Sequence, residues 1–148
     1  MPIAAPEAIT RSNKMLFLSV ILYLAASLGV LAMGIKYVRA EPPLDYHAEI
    51  TKNDELSEAT LRILGALYKV MGGGFLSLGI VLAMLALFGV SNDLLWAKLA
   101  ILVGALVAGS FSAFFPREVE RATGVRTPWR IAALLTALVG VAFVISVI

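Results

Sequence analysis

Residues 70–90 read VMGGGFLSLGIVLAMLALFGV, 21 positions without a charge. A hydrocarbon core of roughly 30 Å takes about 20 helical residues at about 1.5 Å each. This stretch is long enough to cross a bilayer, and three others match it, at 15–35, 94–115 and 128–148. The chain therefore reads as an all-α, four-transmembrane-helix up-and-down bundle, a single integral membrane domain over residues 1–148.

Composition agrees. Of 148 residues, 60% are hydrophobic and 15% charged, against roughly 45–50% and about 25% in an ordinary soluble domain. Mean hydropathy is +0.92. So much apolar surface needs lipid as its solvent, and the bilayer is the first expected partner. A formal charge of +2, scattered over several loops, excludes a nucleic-acid surface. With no cysteine, disulfide exchange, thiolate metal sites and cysteine nucleophiles are excluded. The only histidine is His47.

Upstream of the 70–90 run, Leu56, Ala59, Ile63, Leu67 and Val70 recur at helical spacing. The second helix is therefore expected to start near residue 55, with Asp54 or Ser57 as its cap. Glu58 stands four residues before Arg62, an orientation that favours an ion pair contributing about 0.2–0.5 kcal/mol. A straight helix over 55–90 would be roughly 54 Å long at about 1.5 Å per residue, which overshoots the membrane. Its first turns must project into water or bend along the interface at Gly72-Gly73-Gly74.

Downstream, Ser91-Asn92-Asp93 is short enough to force an antiparallel hairpin, and one of these three residues is expected to cap the next helix. That helix carries Trp96 and Lys98 in its first turns, Trp at headgroup level and Lys stretching its stem toward water. Pro116 is expected to stop it. Residues 116–127 then form a basic loop, with Arg117, Arg121 and Arg126 against Glu118 and Glu120. Thr127-Pro128 is a helix start, Thr as cap and Pro in the first helical position. Trp129 and Arg130 anchor the last span at the interface.

The first span, 15–35, is flanked by Arg11 and Lys14 before it and by Lys36 and Arg39 after it. Residues 1–14 read as a short mobile tail without helical period. A cleaved secretory signal is the rival reading, with Val38-Arg39-Ala40 as the cut; the apolar run is longer than the usual ~7–15 residues and cations crowd that cut, which favours a span. Residues 36–54 form a polar acidic loop, broken by Pro42-Pro43. Through residue 60, Lys36, Arg39 and Lys52 are outnumbered by Glu41, Asp45, Glu49, Asp54, Glu55 and Glu58. By the positive-inside rule, the Lys and Arg flanking the first and third loops outnumber Arg11, Lys14 and Lys98, so both termini are expected outside.

Small residues spaced four apart let membrane helices approach closely. The expected packing positions are Gly29 with Ala25, Ser77 with Gly73, Gly79 with Ala83, Gly104 with Ala108, Gly109 with Ala105 and Ala113, and Thr136 with Ala132 and Gly140. Packing inside the bundle is the favoured use, dimerisation the alternative.

Ion-coupled transport, proton relays and haem binding need ionisable or ligand side chains inside the membrane. None of the spans carries Asp, Glu, His or Arg away from its ends. Hydroxyls at Ser19, Tyr23, Ser27, Ser77, Ser110, Ser112, Thr136 and Ser146 are expected to bond their own or a neighbouring helix. No cofactor is implied. His47, with Asp45, Tyr46 and Glu49, is the one cluster able to do chemistry, as a base or a divalent-metal site; a solvated acidic loop is the favoured reading. Lys69, beside Gly72-Gly73-Gly74, meets a lipid phosphate or a loop carboxylate, or, on fewer assumptions, simply snorkels. The triplet lacks the Gly-Lys-Ser/Thr of a phosphate loop.

The order of span, YHAEI loop, YKVMGGGFLSLG span, tight turn with LLWAK and a final span opened by TPWR resembles small bacterial four-helix inner-membrane proteins. That resemblance implies a multi-pass bacterial inner (plasma) membrane location and brings no activity with it. The leading expectation is a non-enzymatic structural or accessory subunit, partnered by another membrane protein or by itself. The alternative is a carrier for lipid or a hydrophobic small molecule, with Gly72-Gly73-Gly74 opening a gap and Tyr68, Lys69 and the His47 loop as a polar lid. A metal-dependent enzyme centred on His47 is the remotest.

Overall fold

A computed structural model describes the backbone of residues 6–148 and the side chains from residue 13 onward. Five α-helices follow in order: α1 Pro6–Arg39, α2 Asp45–Ile50, α3 Glu58–Met84, α4 Leu95–Thr123 and α5 Trp129–Val147. Four of them carry stretches long and apolar enough to cross a membrane, Asn13–Arg39, Glu58–Asn92, Leu95–Thr123 and Trp129–Val147. Phe17, Leu28, Val70, Phe88, Phe111 and Leu134 stand exposed on the outer faces. An apolar surface of this extent is what lipid, not water, solvates.

α1 begins earlier than expected, so residues 6–14 belong to a helix and not to an aperiodic tail; residues 1–5 lie outside the described residues. A proline at a first helical position gives up no hydrogen bond, and the segment adds turns to the span behind it. α1 ends at Arg39, where Lys36 and Arg39 complement its C-terminal dipole and Pro42-Pro43 forbids continuation. The 36–54 segment is thus only partly a loop: its start completes α1, and its middle winds into α2.

α3 starts at Glu58, not near 55, because Ser57 is the cap: its Oγ accepts from Thr60 N–H at 3.2 Å. The Glu58–Arg62 pair forms at 3.5 Å, fully in the open. The helix runs unbroken through Gly72-Gly73-Gly74, so the expected bend is not at the triplet. The irregularity comes later, in a π-helical turn at Leu85–Gly89 followed by a 3-10 turn at Val90–Asn92. Ser91 Oγ donates to Leu87 O and Asn92 Nδ2 to Phe88 O at 2.9 Å, so both terminate α3 rather than cap α4. Asp93 turns the chain in the left-handed region at φ 57°, and the N-cap of α4 is Leu94 without a side-chain bond.

Pro116 does not stop α4. The helix passes through it to Thr123 and closes on Gly124 at φ 73°. An interior proline costs roughly 3 kcal/mol, and ties across the next connection oppose that loss. Glu120 accepts from Thr127 N–H at 2.9 Å and from both Arg130 Nη atoms at 3.0 and 2.8 Å, while Thr127 Oγ1 donates to Pro116 O at 2.8 Å. Thr127 is therefore a strut between helices, not a cap, and α5 begins one residue later than expected. The basic 116–127 segment is mostly helix.

α1 is the hub: it packs along α3 on one side and α5 on the other, and α4 packs on α5. Glycines make the α1–α3 seam close. A Cβ on Gly72 would lie 2.7 Å from Val38 N, and one on Gly79 would lie 2.6 Å from Leu31 Cγ. Ser27 Oγ donates to Gly79 O at 2.7 Å across the same seam. Gly29 meets Leu135 of α5, and Gly109 of α4 lies directly under Thr136. Gly73, Gly74, Gly104 and Gly140 have open space where a Cβ would go, and Ser77 is exposed. These expected packing positions face outward because their helices meet neighbours on other sides.

Candidate functional site

α3 and α4 meet chiefly through the π turn and the hairpin. There Ala86, Val90 and Ala97 are fully buried, and Gly89 sits so close to Ala97 that no Cβ fits between them. Toward the opposite end the two helices part and leave a cleft floored by α1 and α5. It holds about 790 Å³ of atom-free space, the open solvent at its mouth included. Met33, Phe75, Leu78, Ala108, Leu135 and Val139 are typical of its apolar lining, with Ser112 and Thr136 among the few polar groups. On α4 the lining runs from Ala105 to Pro116, roughly 16 Å of rise at about 1.5 Å per residue. That is about half of a ~30 Å hydrocarbon core.

An aromatic roof adjoins the cleft where it reaches the polar end. Tyr37, Leu44 and Tyr68 form a buried cluster with Tyr46, Met33 and Phe75 packed on it. Tyr37 and Phe75 also line the cleft, so roof and cleft share walls. Tyr68 is 2% exposed; its hydroxyl accepts from Leu44 N–H at 3.2 Å and is hydrogen-bonded to Nδ1 of His47. A neutral His47 can take the Tyr68 proton at Nδ1 or, in the other tautomer, donate to the second lone pair of the Tyr68 oxygen, the first being taken by Leu44 N–H. Burial lowers the His47 pKa from the ordinary value, which favours that neutral form. Burial first, and the Tyr37 hydroxyl second, push the Tyr46 phenol up.

Of the residues expected to form a lid, Tyr46, His47 and Tyr68 come together, and Tyr37, read as a loop residue, joins them from the end of α1. Asp45 is exposed in the first turn of α2, and Glu49 pairs outward with Lys52 at 2.8 Å. Lys69 is exposed and two positions before the cleft-lining Met71; at about 100° per residue it lies on the far side of α3. The gap does not arise at the glycine triplet: Gly72 is sealed against α1, and Gly73 and Gly74 open outward. His47 Nδ1 is engaged by Tyr68, and among the described residues no three metal-ligating side chains converge.

At the cleft mouth, Pro116 and Pro128 line the wall. The next residue of each, Arg117 and Trp129, stack together: the Arg117 guanidinium lies 5.2 Å from the Trp129 ring centre, and that of Arg130 4.7 Å. Trp129 Nε1 is buried without a partner among the described residues.

Lys98 does not reach for water as expected. It is 4% exposed, and its Nζ donates at 2.5 Å both to Asp93 Oδ1 and to Ser146 O, the carbonyl end of α5. A cation there meets the negative end of the helix dipole. The short hairpin places Lys98 beside the last turn of α5, a proximity that spacing alone does not reveal. Ser19, Thr136 and Ser146 bond back to their own helices, at Leu16, Ala132 and Phe143, whereas the buried Tyr23 hydroxyl, expected to bond likewise, has no partner among the described residues because apolar side chains surround it.

No family model, curated protein or solved structure matches this chain.

Proposed function

We propose that this integral membrane protein holds one lipid acyl chain in the cleft between α3 and α4. The depth of the cleft carries the reading. It starts at the interfacial prolines and ends near mid-bilayer, so it fits the chain of a lipid in one leaflet and is too short for a transmembrane helix. The lining is apolar, as an acyl chain requires. In this reading the protein is non-enzymatic and resides in a bacterial inner membrane, as the resemblance of its span order implies. Native mass spectrometry of protein released from nanodiscs tests it: the wild type should retain one lipid, and Ala108→Trp, which fills the cleft, should retain none while melting no lower. Equal lipid retention by both would refute it.

The accessory-subunit reading has its own support in the open space at Gly73, Gly74, Gly104 and Gly140, which leaves small-residue faces free for another helix. Crosslinking in native membranes that is abolished by Gly104→Leu would favour it; a chain that crosslinks to nothing would remove it.

A further inference from the structure

We infer that the lipid held in the cleft is an anionic phospholipid whose phosphate sits on the guanidinium of Arg117. This rests on the acyl-chain reading, and the observations behind it are separate ones. A lipid whose tail lies along Ser112 and Pro116 has its headgroup where the cleft opens, next to Arg117, the residue after Pro116. The Arg117 guanidinium carbon lies over the Trp129 ring, 5.2 Å from its centre, and a guanidinium held on an aromatic face can still present N–H groups to a phosphate.

The neighbouring charges leave that edge available. Glu120, the carboxylate one turn on, is occupied by Arg130 and Thr127. Among the described residues no carboxylate lies within 4.0 Å of Arg117. Over residues 116–130 four arginines face two glutamates, Glu118 and Glu120. The carboxylates Asp45 and Glu49 belong to α2, whose Tyr46 packs on the Tyr37–Leu44–Tyr68 cluster of the roof, and both are exposed. A phosphate at Arg117 would therefore meet a basic wall, and a net-neutral headgroup would gain less there.

The test is lipid competition in nanodiscs of full-length protein, with phosphatidylglycerol against phosphatidylcholine of matched chains, read by native mass spectrometry. The wild type should retain phosphatidylglycerol roughly fivefold over phosphatidylcholine, the scale of one basic residue at an anionic surface. Arg117→Gln should bring the ratio close to one without lowering total occupancy in pure phosphatidylcholine. Lys69→Gln, an equally exposed cation on the far side of α3, should leave the ratio unchanged. Equal retention of both lipids by the wild type, or an identical loss in Lys69→Gln, would overturn the headgroup assignment while leaving the acyl-chain reading standing. Free fatty acid in place of phospholipid would overturn it as well. If no lipid is retained and Ala108→Trp changes nothing, both fail together.

Discussion

The two ends of the α3–α4 pair are built in opposite ways. At the hairpin, Gly89 against Ala97 brings the backbones together, Ala86 and Val90 have no exposed surface, and Lys98 ties the turn to the end of α5. At the other end the helices stand apart over a cleft, and the gap is bordered by tyrosines, prolines and arginines instead of filled by side chains. Membrane helices gain little from excluding lipid, so close contact must come from small residues and polar ties. Where α3 presents Met71, Phe75 and Leu78 to α4, no such contact forms. Stability is concentrated at the closed end, which leaves the open end free to accommodate something else.

Substitutions at the two ends should therefore have opposite signs. The largest effect is expected at Gly89→Leu, where the added side chain collides with Ala97; overpacking of this kind costs about 1–3 kcal/mol, occasionally more. Unfolding in mixed micelles should show the loss, and an unchanged midpoint would deny that the hairpin end is closed. Gly109→Leu drives into Thr136 on the α4–α5 seam, and a loss of about 1–3 kcal/mol is expected by the same mechanism. Lys98→Met should cost less, about 1–2 kcal/mol, because the carbonyl of Ser146 loses its donor while Asp93, with a side chain 71% exposed, is left in water rather than buried. Ala108→Trp at the open end should cost nothing or raise the midpoint.

The smallest effect belongs to the roof. Burial lowers the folded-state pKa of His47 below its ordinary 6.5, so the unfolded chain takes up this proton first. The stability linked to His47 is complete above that value and is lost as pH falls through the lowered folded-state pKa. Below it, both ring nitrogens of His47 are donors, so the Tyr68 hydroxyl finds no acceptor at Nδ1. A melting series from neutral to mildly acidic pH should show a small loss that His47→Gln does not share; parallel curves would remove the histidine from the roof's stability.

The sequence made the spans legible because transfer into lipid depends on runs of apolar residues, and a run is a local property. The ends of the helices were less legible. Pro116 lies inside α4 because Glu120, Thr127 and Arg130 hold the following turns, and those partners come from beyond the connection. Ser91 and Asn92 have the composition of caps for the next helix, yet their donors turn back to Leu87 and Phe88. Of the candidate lid, His47 and Tyr68 were visible as residue types, while Tyr37 was hidden at the end of α1. The cleft left no trace in the sequence, since it is a distance between two helices and no residue encodes it. Small residues marked only some seams: Gly72 and Gly79 meet α1, whereas Gly104 and Gly140 meet nothing.

The most direct test maps where a lipid tail goes. A phospholipid with a diazirine on its acyl chain, photolysed in nanodiscs containing the full chain, should label Phe75, Leu78, Ala108 and Ser112 inside the cleft. Labelling confined to the outer faces, at residues such as Val103, Phe111 and Leu134, would contradict the claim that the open end of the bundle holds an acyl chain.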